Sequence, residues 1–306
     1  MTEPDYQSLI DGETWAFIHA SEAAYPADTA SLSIADQRRI YDSMCQAFHR
    51  GYPAGVTARD EPVAGVPCRI YPGASPTVVY LHGGGYVLGG LHSHDDVCAE
   101  IRAVTGLGVV AVDYRLSPEH LHPAAFDDAV AVVRALPGPL VLAGDSAGGN
   151  LAAATCHALR GDARILGQVL IYPGLGGDRN RGSYQTHAFA PMLTLADVEF
   201  YAGIRHGGDE VTGDATVAPL QDGDFSGLPP TVAIAAECDP LADDAHTYAA
   251  AIRVAGGRAQ AFTAAGMVHG YLRARASVPR AAASFTQICA AIAALAAGAW
   301  PYGDQR

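Results

Sequence analysis

Ser146 is the residue of this chain whose surroundings most clearly suggest nucleophilic chemistry. It lies in the stretch Gly144-Asp145-Ser146-Ala147-Gly148-Gly149, between an apolar run at 139–143 and an alanine-rich run at 150–159. The pattern G-x-S-x-G is typical of a sharp strand-to-helix turn that exposes the serine hydroxyl. Glycine removes the Cβ atoms that would clash in such a turn. The N-terminus of the following helix would offer N–H groups to a developing oxyanion. Because the chain contains 34 glycines, the pattern alone could arise by chance.

A glycine triplet upstream supports the functional interpretation. His82-Gly83-Gly84-Gly85 directly follows the β-branched, apolar stretch 77–81, which predicts a strand. Three glycines allow the backbone to approach a ligand and to point N–H groups at it, as in the oxyanion-hole loop of lipases and esterases. A flexible turn would explain one or two of these glycines but not a His-Gly triplet at this place. We expect the N–H groups of Gly84 and Ala147 to form an oxyanion hole, with Gly83 or Gly85 assisting.

Asp239 and His269 complete the set of residues that could act with Ser146. Asp239 ends a predicted strand at 231–236, and His269 follows a predicted strand at 258–263. A carboxylate at a strand end can orient a histidine, although Asp239-Pro240 is also an ordinary helix-start pattern. The order serine, aspartate, histidine, each in a turn after a strand, favours a catalytic role for all three. Asp243 and Asp244 remain alternatives for the acidic residue.

The elements around these residues predict an α/β fold. Strand and helix signals alternate from about residue 60 to the end of the chain, which indicates βαβ units and a mostly parallel central sheet flanked by helices. Residues 1–55 lack strand alternation, and a helix is expected at 34–48 with Ser33 as its cap. Nearly sixty residues separate the strands at 169–172 and 231–236, and they include a predicted helix at 194–206 with Thr194 as its cap. This stretch is too long for a simple crossover and predicts an insertion or a lid.

Composition limits the classes of protein to consider. The chain has 306 residues, 49% of them hydrophobic and 17% charged, as expected of a globular enzyme. A formal net charge of −13 argues against nucleic acid and anionic membrane surfaces as partners. No apolar run is long enough for a membrane span, and the N-terminal residues lack the features of a signal peptide, so we expect a cytoplasmic protein. The six cysteines are expected to be reduced and mostly buried.

No metal site is expected from the sequence. His92, His94, Asp95 and Asp96 cluster in a way that resembles a metal site. A predicted helix start at Ser93 makes helix capping the better interpretation. No pair of cysteines or histidines has zinc spacing.

These motifs together resemble the hormone-sensitive-lipase-like esterases of the α/β-hydrolase superfamily. The resemblance spans roughly residues 60–290 and is carried by 82–86, 113–119, 144–150, 172–173, 239–241 and 269–270. Within that family the chain is most similar to bacterial acetyl esterases, through 89–95 and 239–244. The resemblance implies an α/β-hydrolase catalytic domain at 51–306 with a helical cap. The N-terminal segment 1–50 and an insertion at about 175–220 would form that cap.

The resemblance also implies a reaction and a set of partners. It implies a serine carboxylesterase that hydrolyses small-molecule esters of short acyl chains, from acetyl to butyryl or hexanoyl, with no cofactor and as a homodimer. Asp145 is expected to bind loop N–H groups, and Asp113, Tyr114 and Arg115 to brace loops. Two other functions stay open at this point. An amidase, peptidase or deacetylase would use the same three residues, and a non-catalytic ligand receptor occurs on this fold when they are lost.

Overall fold

The computed structural model describes residues 4–208 and 213–303. Parts of the predicted segments 1–50, 175–220 and 51–306, namely residues 1–3, 209–212 and 304–306, lie outside the described residues. The helices are α1 (Tyr6–Leu9), α2 (Gly12–Ala24), α3 (Ile34–Phe48), α4 (Asp95–Thr105), α5 (Ala124–Ala135), α6 (Ala147–Ala158), α7 (Ser183–Thr186), α8 (Leu195–His206), α9 (Ala242–Val254) and α10 (Pro279–Ala296). The strands are β1 (Arg59–Asp60), β2 (Cys68–Tyr71), β3 (Ala74–Leu81), β4 (Leu107–Val112), β5 (Leu140–Asp145), β6 (Ile165–Ile171), β7 (Thr231–Cys238) and β8 (Ala259–Val268).

The eight strands form one sheet in the order β1-β2-β4-β3-β5-β6-β7-β8. The β1–β2 and β2–β4 pairs are antiparallel, and the remaining pairs are parallel. This arrangement confirms the predicted α/β fold with a mostly parallel sheet. Because parallel strands end at the same edge of the sheet, the residues that follow β3, β5 and β7 are brought to one edge.

Helices cover both faces of the sheet, so its central strands are buried on both sides. In β3, Val78 and Tyr80 belong to the core shared with α4 and α10, whereas Val79 and Leu81 belong to the core shared with α5, α6 and α9. This alternation explains why the stretch 77–81 reads as continuously apolar. The core therefore fixes the carboxyl end of β3, where the glycine triplet begins.

Two helical segments lie outside this sandwich, and their predicted caps are confirmed. Ser33 accepts a hydrogen bond from the Asp36 N–H at the start of α3. Thr194 caps α8 and forms a reciprocal capping box with Asp197. A side-chain oxygen at this position satisfies N–H groups that have no partner within the helix. α3 and α8 thus have well-defined starts although they belong to no βαβ unit.

The cysteines agree with the expectation from composition. All six cysteines are free and buried, as predicted. Across 4–208 and 213–303, no helix is long and apolar enough to cross a membrane.

Candidate active site

Ser146 stands in a tight turn between β5 and α6. Its backbone has φ +54° and ψ −119°, and its N–H donates to the Ile171 carbonyl at 2.9 Å. A Cβ on Gly148 would lie 2.0 Å from the Leu81 carbonyl oxygen, and one on Gly144 would lie 2.4 Å from the Gly148 carbonyl oxygen. Both distances are shorter than a Cβ atom can tolerate. The two glycines are thus required because β3, β5 and α6 approach one another so closely.

The structure brings Ser146, His269 and Asp239 into one hydrogen-bonded line. The Ser146 hydroxyl donates to His269 Nε2 at 2.8 Å, and His269 Nδ1 donates to Asp239 Oδ2 at 2.7 Å. The Asp239 side chain is fully buried, and its other oxygen accepts the Leu241 N–H at 2.9 Å. Asp239 therefore orients the imidazole and also supports the turn into α9. Such a line lets a histidine take the serine proton.

The alternative carboxylates lie elsewhere. Asp243 accepts the Ser183 N–H at 2.8 Å. Asp244 accepts the Leu175 N–H at 2.6 Å and the Tyr184 hydroxyl at 3.0 Å. Both carboxylates tie the segment after β6 to α9, and the His269 imidazole is bonded to Asp239 instead.

Asp145 holds the glycine loop in place, as the sequence predicts. Its Oδ1 accepts the Gly83 N–H at 3.0 Å and the Tyr80 hydroxyl at 2.9 Å, and its Oδ2 lies 3.2 Å from His94 Nε2. Burial alone would raise the pKa of the Asp145 carboxyl. The neighbouring His94 and the Tyr80 hydrogen bond outweigh burial and hold this pKa well below its usual value. Asp145 is thus an ionised anchor for the loop.

This anchor corrects one expectation about the oxyanion hole. Because the Gly83 N–H donates to Asp145, it is not free to assist an oxyanion. Gly84, Gly85 and Ala147 lie with Ser146 on the wall of one cavity, whereas Gly83 does not line it. Three of the four predicted residues are therefore brought to the serine.

Tyr114 supports this loop and Arg115 holds its own loop against α5, as predicted for these two residues. The Tyr114 hydroxyl donates to the His82 carbonyl at 2.6 Å, and its ring stacks on the His82 imidazole with 4.2 Å between centroids. Arg115 pairs with Asp128 at 2.8 Å. Burial and the nearby His94 lower the pKa of His82 to about 4. His82 therefore supports the loop as a neutral side chain.

The N-terminal segment 4–50 and helix α8 line a cavity of about 760 Å³ whose wall also includes Ser146 and part of the glycine loop. Its walls include Tyr25, Tyr41 and Met44 from residues 4–50, which we call the N-terminal arm, and Tyr201 from α8. A Cβ on Gly85 would lie 2.7 Å from the Tyr201 ring, so only glycine leaves room for this ring. The hydroxyls of Tyr25 and Tyr201 lie 3.4 Å apart. Both helical segments therefore contact the region where a substrate would meet Ser146.

The helix predicted to start at Ser93 starts two residues later. α4 begins at Asp95 with His94 at the N-cap and no side-chain cap bond, so the predicted side-chain capping in this stretch is wrong. The Ser93 hydroxyl donates to the Gly90 carbonyl at 2.8 Å. His92 pairs with Asp42 at 2.6 Å, away from His94. Within the described ranges, no group of three or more His, Cys, Asp or Glu side chains could hold a metal ion.

Sequence reasoning missed two cavity residues. Tyr201 lies on the glycine loop and Arg273 lies one turn beyond His269. No motif marks Tyr201, since its position depends on how α8 docks. Arg273 could have been noticed as a charged residue four positions after His269 in an otherwise apolar turn.

The chain is similar in sequence and in fold to proteins named as ester hydrolases. Residues 78–273 match a family described as having the alpha/beta hydrolase fold. The carboxylesterase NlhH of Mycobacterium tuberculosis H37Rv is 37% identical over 223 residues, 68% of this chain and 70% of that protein. The ethyl acetate hydrolase of Pseudomonas putida is 33% identical over 217 residues, 65% of this chain and 67% of that protein. The structure of a hyperthermophilic esterase from Pyrobaculum calidifontis superimposes with a TM-score of 0.83 at 29% identity, covering 94% of this chain and 99% of that one.

Proposed function

This chain belongs to the hormone-sensitive-lipase-like carboxylic ester hydrolases of the α/β-hydrolase family, and on that premise we propose that it is a serine esterase acting through an acyl-serine intermediate. The observation that carries the proposal is the line from Ser146 Oγ through His269 to Asp239, with contacts of 2.8 and 2.7 Å. Those contacts join a hydroxyl, a proton acceptor and a carboxylate that fixes the imidazole tautomer.

In the proposed reaction His269 Nε2 takes the Ser146 proton as the serine oxygen attacks the ester carbonyl. The negative oxygen of the tetrahedral intermediate lies against the N–H groups of Gly84 and Ala147, with Gly85 assisting. Each such donor contributes on the order of 3 kcal/mol to lowering the barrier. His269 then protonates the leaving alcohol, and water releases the acyl group by the reverse steps. The scheme uses no cofactor.

We propose acyl chains from acetyl to butyryl or hexanoyl as the substrates of this site. The resemblance to acetyl esterases supports this range, as does the likeness to an ethyl acetate hydrolase. The acyl and alcohol parts of the ester would share the cavity beneath the cap formed by 4–50 and the segment at about 175–220. We also propose that the protein is cytoplasmic and forms a homodimer. Cell fractionation tests the location, and sedimentation tests the oligomeric state.

Hydrolysis of p-nitrophenyl acetate tests the reaction. We expect turnover by the wild-type chain and a loss of at least about 10³-fold in Ser146→Ala, because that variant has no nucleophile. No turnover of any ester by the wild-type chain would overturn the proposal.

Two substrate series test the finer assignment. A rate maximum at an acyl chain of eight carbons or more would reject the short-chain range. Faster cleavage of an anilide than of the matched ester would favour an amidase instead.

A further inference from the structure

Arg273 places a guanidinium group beside the proposed catalytic histidine. It lies in the short 3-10 turn Tyr271–Ala274 that follows His269-Gly270, and it lines the cavity that contains Ser146. Its Nη1 lies 3.1 Å from the position that a Cβ on Gly270 would occupy. Its Nη2 donates to the Tyr41 hydroxyl, and its guanidinium carbon lies 5.0 Å from the centre of the Tyr41 ring. A positive group thus reaches the cavity wall within one turn of His269.

No carboxylate neutralises this group directly. Among the described residues, no Asp or Glu oxygen lies within ion-pair distance of Arg273, and its buried Nε has no hydrogen-bond acceptor. Burial raises the pKa of both Tyr41 and Cys45, so these neighbours stay neutral. Arg275, two residues further along, instead pairs with Asp96 at 2.6 Å and with Glu100 at 2.8 Å. A partly buried guanidinium without a counterion favours an anion supplied from elsewhere.

Several other charged groups of the cavity wall are already engaged. Asp145 feels the charge of Arg273, but its oxygens accept bonds from Gly83 and Tyr80. Asp197 is held in the capping box of α8. Arg205 donates to the carbonyls of residues 216 and 217, and its guanidinium stacks 3.8 Å from the centre of the Tyr86 ring. Arg273, which lies beside His269 on the cavity wall, therefore has a positive charge that is available to a ligand.

We propose that Arg273 selects substrates that carry a carboxylate in addition to the ester group. The guanidinium binds this carboxylate through charge-assisted hydrogen bonds while Ser146 attacks the ester carbonyl. The carboxylate lies either on the acyl side or on the alcohol side of the ester. This inference rests on the proposed esterase function and narrows its substrate class.

Two pairs of short esters test the inference, since in each pair a carboxylate replaces a methyl group. Monomethyl succinate against methyl butyrate tests the acyl side, and acetoxyacetate against ethyl acetate tests the alcohol side. The values of kcat/KM are measured from acid release at constant pH. We expect the wild-type chain to favour the charged ester of one pair by about 10- to 100-fold more than Arg273→Gln does. We compare the ratio of kcat/KM for the charged ester to kcat/KM for the uncharged ester between the wild-type chain and the variant, because differences in the intrinsic reactivity of the esters then cancel.

Two control variants test whether the preference depends on a guanidinium at position 273 or only on the net charge of the chain. Arg273→Lys is expected to keep part of the preference, because it retains the charge but loses the planar fork. Arg134→Gln, which removes a positive charge from the exposed side of α5, is expected to keep the full wild-type ratio.

One result would overturn the inference: in both pairs, a charged-to-uncharged ratio of kcat/KM that is the same in Arg273→Gln as in the wild-type chain. If that variant does not fold, inhibition of the wild-type chain by succinate decides instead, and the absence of competitive inhibition of p-nitrophenyl acetate hydrolysis would count against Arg273. Failure to hydrolyse any ester is a separate result, which refutes the proposed function itself.

Discussion

Two buried carboxylates on either side of Ser146 have different tasks. Asp239 holds the His269 imidazole, and Asp145 holds the N–H of Gly83. The first sets the orientation of a group that would move a proton. The second fixes the backbone from which the proposed oxyanion donors Gly84 and Gly85 extend. Both contacts depend on side chains at the carboxyl ends of parallel strands, where the sheet brings them together.

We expect Asp239→Asn to reduce kcat by about 10⁴-fold while KM changes little. An amide at this position donates to His269 Nδ1 rather than accepting from it, which leaves the imidazole in the wrong tautomer. Steady-state kinetics on p-nitrophenyl acetate measure the effect. Asp243→Asn is the matched control, because Asp243 accepts the Ser183 N–H and does not contact His269. A similar loss in both variants would contradict the role given to Asp239.

Stability should fall as the pH drops from about 6.5 towards 4, because His82 is held neutral in the folded chain. Its pKa is about 4 when folded and about 6.5 when unfolded, so within this window the unfolded chain binds more protons and is favoured at lower pH. His82 alone should reduce the free energy of unfolding by about 2 kcal/mol between pH 7 and pH 5. Urea unfolding at the two pH values measures it.

A pair of histidine variants isolates this contribution. His82→Gln should lose less stability than the wild-type chain between pH 7 and pH 5, because it has no imidazole to protonate. His19→Gln changes an exposed histidine on α2 and should show the wild-type difference. An equal pH dependence in His82→Gln and the wild-type chain would refute the assignment.

The sequence predicts which side chains meet in the site better than it predicts which backbone N–H groups are free to bind a substrate. The order of Ser146, Asp239 and His269, which follow β5, β7 and β8, is visible in the sequence because each residue follows a recognisable apolar run. The engagement of the Gly83 N–H with Asp145 is not visible, since it depends on how two loops meet in space. The absence of an ion-pair partner for Arg273 among residues 4–208 and 213–303 likewise becomes apparent only when its neighbours in space are known.

The turn between β5 and α6 depends on the close approach of β3. A Cβ on Gly148 would lie only 2.0 Å from the Leu81 carbonyl oxygen. Gly148→Ala should therefore push α6 away from β3, lowering the free energy of unfolding by about 3 kcal/mol and greatly reducing esterase activity. Urea unfolding and p-nitrophenyl acetate hydrolysis measure the two effects.

Gly203 in α8 provides the matched control for that substitution. A Cβ at this helical position has no atom within 4 Å. Gly203→Ala should stabilise the chain by up to about 1 kcal/mol, since alanine favours the helix. If both glycine variants kept wild-type stability, the close approach of β3 would not explain the glycine at 148.

Helix α3 shows which features of an element can be predicted from the sequence and which cannot. The existence of α3 and its Ser33 cap follows from local pattern. The spacing of its apolar residues predicts that one face is formed by Ile34, Ile40, Met44, Ala47 and Phe48, and this prediction is only partly right. Met44 is buried as expected, whereas Ala47 is exposed and Tyr41 is buried. Periodicity identifies a helix, but the face that is buried depends on the surface it meets, here the cavity wall and the segment at 87–88.

One arginine attaches the N-terminal arm to the part of the chain that contains the sheet. Arg38 of α3 donates to the Val87 carbonyl at 2.8 Å and the Ser117 carbonyl at 2.9 Å, and it pairs with Glu119 at 2.7 Å. Val87 belongs to a small apolar cluster with Tyr41 and Met44 of the same helix. The arm that lines the cavity is therefore held by the loops that follow the glycine triplet and β4.

Loss of this attachment should free the arm without unfolding the sheet. We expect Arg38→Ala to weaken the docking of 4–48 by about 2 kcal/mol, because charge-assisted bonds to two carbonyls and a carboxylate disappear. The arm should then be cleaved faster in limited proteolysis, and KM for p-nitrophenyl acetate should rise because the cavity loses a wall. Arg39→Ala on the same helix removes only an exposed pair with Asp36 and should resemble the wild-type chain in both assays. Equal cleavage rates in the two variants would show that apolar contacts alone hold the arm. A faster-cleaved arm with an unchanged KM would separate its attachment from substrate binding.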